Sequence, residues 1–303
     1  MTDKPIVYTI CGVHNGLNYT KELLASIKKQ SYPNIIIIFI DDGSTDGTSD
    51  FIKRNYPEII LLKGDGNLWW TGALYKGVKK VLSLASKDDF IFTVNNDCIF
   101  GRDLVLNLVK TSLGNHRAIV GSLIIDSNNV SKIIDAGVQI DWPKGKYISL
   151  LPKKITDLPK NKLFQENIDT LSTKGTLYPV EVFHKIGNFD KKHLPHYVSD
   201  YEFACRAKKA GFTLLLSYQA RVYNDAGRTG FGETIPSEIN FKQFRSLLFS
   251  RNSRINIVDH FWFTHLCCPL KYKPISYFRL LAKCLYLFIF IFPFNLIRNK
   301  LLK

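Results

Sequence analysis

Residues 35–48 constrain this chain more than any other stretch. Six apolar residues, 35–40, run directly into Asp41-Asp42-Gly43-Ser44-Thr45-Asp46-Gly47-Thr48. A short, unbroken, largely β-branched run suits a strand buried on both faces, as in a parallel sheet. Asp41 and Asp42 then stand at its carboxyl end. In open α/β sheets that edge is where ligands bind. The same residues are also good turn and helix-start formers, so this segment alone does not decide between a site and a turn.

The flanking pattern extends the argument. Strands are expected at 6–13, 35–40, 59–62 and 90–94, and helices at 20–30, 48–54 and 71–85. In the last of these, Leu74, Val78, Val81, Leu82 and Ala85 recur at helical spacing. Alternating strands and helices imply an α/β fold with a mostly parallel sheet and helices on both faces. Residues 124–175 mix short apolar runs with Asn, Lys, Pro and Gly and predict no firm element. Helices return at 179–186 and 201–210, the second preceded by Asp200 as N-cap and stopped by Gly211, and a strand follows at 213–217.

Four groups fall at the carboxyl edge of the expected sheet. They are Val13-His14-Asn15, Asp41-Asp42, the segment from Gly64 to Gly72 that contains Asn67, Trp69, Trp70 and Thr71, and Asn95-Asn96-Asp97. Each has a plain structural alternative as a turn or as core. Their shared edge is what favours a site.

The chain has 303 residues, with 41 Lys and Arg against 26 Asp and Glu, a net charge of +15. This excess points to an anionic partner. The six cysteines show no paired spacing, which favours reduced thiols in a cytosolic setting over a disulfide framework or zinc site. The opening residues lack the features of a signal peptide. After Asp259 there is no acidic residue, while Lys and Arg alternate with aromatic residues. The uncharged run 284–297 is shorter than the ~20 residues that span a bilayer. This pattern suits a helix lying on an anionic membrane. The alternative is a helix pair docked on the core with solvated lysines.

The motifs together resemble those of bacterial family-2 glycosyltransferases of the GT-A fold. They are the segment at 41–48, GNLWWTGALYKGV at 66–78, VNND at 94–97, and VFHKIGNFDKKHLPHYVSDYEFACRAKKAGF at 182–212. The resemblance covers roughly residues 5–227. It implies a transferase domain over 1–227, with a nucleotide-sugar-binding half (1–123) and an acceptor-binding half (124–227). Residues 228–303 would form a C-terminal helical, membrane-associating region.

By this resemblance Asp42 reads the nucleobase, beside Val13, His14 and Asn15, and Asp41 holds the loop. Asn67, Trp70, Thr71 and Gly72 line the nucleotide and its sugar, with the Thr71 and Gly72 peptide N–H groups facing anionic oxygens. Asn95-Asn96-Asp97 stands at the family's Asp-x-Asp position, with Asn in place of the first acid. Asp97 is then the expected ligand of Mg²⁺ or Mn²⁺, with Asn224 or Asp225 as a further ligand. Asp200 matches the catalytic base. Ser199 replaces a usual acid, and Glu202 would hold an acceptor hydroxyl. Arg228 would clamp the diphosphate or be an ordinary surface arginine.

The implied activity is inverting transfer from dTDP-rhamnose or a UDP-sugar to a growing, lipid-linked bacterial surface glycan. It would take place at the inner face of the cell membrane. Two rivals are an inactive sugar-nucleotide-binding protein of the same fold and a basic nucleic-acid-binding protein. No nucleic-acid motif supports the latter.

Overall fold

The computed structural model describes residues 4–225 and 241–291. The first half alternates strand and helix: β1 (Val7–Val13), α1 (Leu17–Lys28), β2 (Ile35–Asp41), α2 (Thr48–Asn55), β3 (Ile60–Lys63), α3 (Trp69–Leu82) and β4 (Phe90–Thr93). A short β5 (Ile99–Phe100) and α4 (Leu104–Leu113) follow. The middle is strand-rich, with β6 (Ile119–Asp126), β7 (Asn129–Asp135), β8 (Val138–Asp141), β9 (Lys146–Ser149) and β10 (Phe164–Gln165). Then come β11 (Thr176–Pro179), α5 (Val180–Ile186), α6 (Ser199–Lys209) and β12 (Leu214–Asn224). The C-terminal helices are α7 (Phe241–Phe249), α8 (Ile257–Cys267) and α9 (Lys273–Tyr286).

The central sheet runs β10-β12-β6-β11-β4-β1-β2-β3. β1 pairs in parallel with both β2 and β4, β2 with β3, and β12 with β6. β11 is antiparallel to both β4 and β6, and β10 is antiparallel to β12. Six strands of this path therefore point one way, and β10 and β11 point the other. The outlying β5 and β7 are antiparallel to their partners.

The isoleucine run behaves as its pattern requires. Ile38 and Ile40 join one hydrophobic layer with Tyr8, Ile10, Leu74 and Val78. Ile37 and Phe39 join the opposite layer with Val7, Leu23, Leu24 and Ile27. Burial on both faces, worth about 1.5–3 kcal/mol per large side chain, leaves no room for polar alternation until the strand ends. Val13 then pairs with Asp41, so the first two loops leave the sheet side by side.

Besides shifts of a few residues at helix ends such as those of α1 and α3, three features differ from expectation. β12 runs on to Asn224, well beyond residue 217, with a register shift between Ser217 and Arg221. The stretch 124–175 contains the rest of β6, then β7 and the β8–β9 hairpin, whose exposed strands carry no apolar period. Asp200 is not the N-cap of α6. That position is Val198, in the left-handed region (φ 54°), and Asp200 is the second helical residue.

The C-terminal helices pack beside the end of the sheet where the loops gather. Trp262 lies over His193 with ring centroids 4.0 Å apart, and Arg251 lies over Trp69 at 5.8 Å. Phe263 stacks on Trp142. Arg279 donates to the carbonyls of Trp142 and Pro143 at the hairpin turn.

Candidate active site

The β2 acids organise the loops around them. Asp42 is only 7% exposed, and its carboxylate accepts three peptide N–H groups: Gly66 at 2.8 Å, Leu68 at 2.9 Å and Trp69 at 3.3 Å. No local side chain caps α3. Asp42 does this from a neighbouring strand, and its charge also suits the helix N-terminus. Gly66 reaches Asp42 through a left-handed turn (φ 86°), which glycine adopts without strain. Asp41 accepts from the Ser44 N–H at 2.8 Å and from the Ser49 hydroxyl.

The β1 loop is laced to the same turn. His14 Nδ1–H donates to the Asp42 carbonyl at 2.6 Å, and its Nε2 accepts from Asn15 Nδ2 at 3.2 Å, a pair that fixes one tautomer. The Asn15 N–H donates to Ser44 Oγ, and Asn15 Oδ1 accepts from Thr45. These loops and α3 enclose a cleft of about 300 Å³ lined by Gly12, Val13, His14, Asp42, Gly66, Trp69, Trp70, Ala73 and His196. Trp69 has φ 57° and stands edge-on to His196. Burial holds the His196 imidazole below its usual pKa, hence neutral near pH 7, and its buried Nδ1 has no hydrogen-bond partner among the described residues.

Thr71 and Gly72 do not face this cleft as anion donors. The Thr71 N–H donates to the Pro195 carbonyl at 3.1 Å, and the Gly72 N–H donates to Leu68 within the helix. The Thr71 side chain is fully buried and donates to Ser199 Oγ at 2.8 Å, tying α3 to the start of α6. Asn67 is exposed at the rim, its N–H on Asp65.

Trp70 carries the cleft toward Asp200. Its indole N–H donates to Thr173 Oγ1 at 2.9 Å. The Thr173 peptide N–H in turn faces the Asp200 carboxylate, which also accepts the Tyr201 N–H at 2.9 Å. Desolvation pushes the Asp200 pKa up to about 6, with Asp135 adding to the rise and these peptide N–H groups opposing it. A carboxylate with a pKa near the working pH is suited to taking a proton.

Glu202 is a correction to the expected acceptor contact. It is 3% exposed, and both of its oxygens are held by Arg206, at 2.7 and 2.9 Å. Arg206 also donates to the Ile186 and Asn188 carbonyls. This pair, with Glu202 buried and Arg206 partly exposed, joins α6 to the end of α5 and leaves both Glu202 oxygens engaged.

At the end of β4, Asn95 Oδ1 is buried and has no hydrogen-bond partner among the described residues. The Asn96 side chain packs over Gly16, its Nδ2 only 2.1 Å from where a Cβ would sit. Asp97 is half-buried, and its carboxylate accepts only a long Cys98 S–H contact at 3.9 Å among its described contacts. A hard divalent cation takes oxygen ligands and leaves positions for phosphate or water. The Asp97 carboxylate and the orphaned Asn95 oxygen fit such an ion. Among the described residues no three His, Cys, Asp or Glu side chains converge.

The two further ligands expected from sequence are otherwise engaged. Asn224 is 1% exposed, with its Nδ2 on the Asp97 carbonyl at 3.1 Å and its Oδ1 accepting from Lys174 at 3.3 Å. Asp225 accepts from Asn128 at 3.0 Å. Arg228 lies outside the described residues. Thr173, Lys174 and His196 escaped the sequence argument. The first two sit in a stretch without periodicity, and His196 carried only its place in the motif block as a signal.

Residues 9–187 match the family described as Glycosyl transferase family 2. An uncharacterized glycosyltransferase of Rickettsia bellii is 26% identical over 234 residues, which is 74% of this chain and 31% of the relative. The chain thus spans about a third of the length of the Rickettsia relatives it matches. The N-acetylglucosaminyl-diphospho-decaprenol L-rhamnosyltransferase of Mycobacterium tuberculosis is 22% identical over 232 residues, covering 70% of this chain and 74% of the relative. Among solved structures, GalNAc-T7 with UDP, GalNAc and Mn²⁺ superposes with a TM-score of 0.61 at 14% identity, over 95% of this chain and 58% of that one. The Pyrobaculum calidifontis mannosyltransferase PcManGT, in complex with GDP-Man and Mn²⁺, gives 0.58 at 17% identity, over 95% and 71%. At these identities the structural likeness is one of fold.

Proposed function

The chain belongs to glycosyl transferase family 2, and on that premise we propose that it transfers a sugar from a nucleoside diphosphate to a hydroxyl group, with Asp200 as the base. The observation that carries this is the continuous path from the Asp42 cleft through Trp70 and Thr173 to a carboxylate whose pKa is raised to about 6. The cleft takes the nucleotide. Its wall of Trp69, Trp70 and His196 offers flat surface for a base and sugar, Val13, His14 and Asp42 line it as well, and Asn15 braces His14 from outside.

Asp200 accepts the proton of the acceptor hydroxyl as the oxygen attacks the anomeric carbon. Attack from the face opposite the leaving diphosphate inverts the configuration there. Asp97 and Asn95 would hold Mg²⁺ or Mn²⁺, whose charge offsets the charge that develops on the diphosphate. The likeness to structures solved with Mn²⁺ agrees with that choice. The mycobacterial relative's printed activity supports a rhamnose donor and a lipid-linked acceptor, with dTDP-rhamnose the first choice and a UDP-sugar the second.

Among the described residues no helix is long and apolar enough to cross a membrane. The outer face of α9 supports attachment to a membrane surface instead. Ile275, Phe278, Leu281 and Leu285 are exposed along one side, continued by Phe288 and Ile289. The opposite side carries Arg279, which contacts the β8–β9 hairpin turn, and Ser276, which contacts Cys268 at the end of α8. An apolar stripe turned outward, flanked by lysines with no acid after Asp259, fits an anionic lipid surface. The acceptor would then reach the site from the inner face of the cell membrane.

The test is release of nucleoside diphosphate when the chain is incubated with dTDP-rhamnose, UDP-sugars and a lipid-linked acceptor in Mg²⁺ or Mn²⁺. Acceptor-dependent release from one donor is expected. No release from any donor would contradict the proposal.

A further inference from the structure

We propose that Lys174 is a donor-binding residue, a cation supplied by the protein for the diphosphate of the sugar nucleotide. The inference rests on the transferase reading and adds a residue to it. Lys174 follows Thr173, whose peptide N–H faces Asp200 and whose hydroxyl holds Trp70. Gly175 then fixes the chain: its N–H donates to the Thr93 carbonyl at 2.9 Å, and its φ is 77°. A Cβ there would come within 2.6 Å of Val222 and 3.0 Å of Ser122. The backbone on both sides of Lys174 is therefore pinned at the edge of the sheet, next to the turn after β4.

Lys174 is a half-buried residue, and its ammonium meets a neutral partner, Asn224 Oδ1, at the long distance of 3.3 Å. Among the described residues no salt bridge involves it. A fixed cation whose described partner is a neutral oxygen leaves donor capacity for an anion, so an anionic ligand would complete this site. Asn224 ties the group to Asp97 through the Asp97 carbonyl at 3.1 Å. With Asn at position 95 rather than an acid, one carboxylate is left in that turn. The ammonium is then free to serve phosphate oxygens, for which lysine acts as a point charge. Preorganised charge at the oxygens that become negative on bond breaking also lowers the barrier.

The test measures binding of UDP, UMP, dTDP and dTMP to the full chain in EDTA, so that no metal contributes. Wild type should hold one diphosphate roughly 10-fold or more tighter than its monophosphate, the size of one charge-assisted contact. Lys174→Met should remove that preference and leave monophosphate affinity unchanged, and Lys174→Arg should restore part of it. Equal diphosphate affinity in wild type and Lys174→Met would overturn the inference. So would equal loss of both nucleotides, which marks a structural residue. If wild type binds a diphosphate only after Mn²⁺ is restored, this inference fails alone; if it binds none of the four even then, the donor reading fails with it.

Discussion

Asp42, Glu202 and Asp200 are three acids in desolvated settings whose partners assign them different work. Asp42 spends its oxygens on the peptide N–H groups that open α3. Glu202 spends both on Arg206. Asp200 has peptide N–H donors but, among the described residues, no cationic partner, so burial wins and its pKa rises. Glu202→Gln should therefore act on stability. Breaking a buried pair costs about 3 kcal/mol and leaves Arg206 without its counter-charge. Chemical denaturation of the variant should show a loss of that order, with the acceptor KM unchanged at a temperature where it remains folded. A raised KM with full stability would return Glu202 to the site. The spacing of Glu202 and Arg206, i and i+4 on a helix, already allowed this pairing in the sequence. Their shared burial became visible only once α5 and α6 were placed together.

Elements buried on both faces were legible, and those at the margins were not. The runs that became β1, β2 and β4 are mostly apolar, with Thr9 and Thr93 the buried exceptions in β1 and β4, because both faces of these strands are covered. β7 and β9 face water and read as loops. Helix α3 starts earlier than its own sequence suggests because its cap comes from β2, which local capping rules cannot see. Helix α9 has the reverse difficulty: its aromatic and basic composition was plain, but which side turns outward depends on Arg279 and Ser276. The orientation makes a prediction. Replacing Leu281 and Leu285 together with Asp should abolish co-sedimentation with vesicles rich in anionic lipid and leave nucleotide binding intact. Unchanged co-sedimentation would remove α9 from the membrane. A shift from dimer to monomer in the variant, without lipid, would assign the stripe to a second copy instead.

At the scale of the whole molecule, the fold carries candidate site residues from segments far apart in sequence to one end of the sheet. The motif blocks foretold Asp42, Asp97 and Asp200 there because each closes a recognisable strand or opens a helix. Thr173 and Lys174 were hidden because β11 runs antiparallel and brings its first residues, not its last, to the ligand edge; Asn224 was expected there as a metal ligand, and the structure makes it a strut between Asp97 and Lys174 instead. The C-terminal helices bear on the same end, through Arg251 over Trp69 and Trp262 over His193, so the expected boundary near residue 227 does not isolate them from the site. The account turns on Asp200 being the base, and the pH dependence of transfer by wild type and Asp200→Asn tests that most directly. Only the ionised carboxylate can take a proton, so the wild-type rate should fall as pH drops through about 6. Asp200→Asn should lose roughly 10²–10⁴-fold in rate, lack that limb, and still bind the nucleoside diphosphate. A variant that transfers sugar at near wild-type rate with the same acid limb would contradict the account.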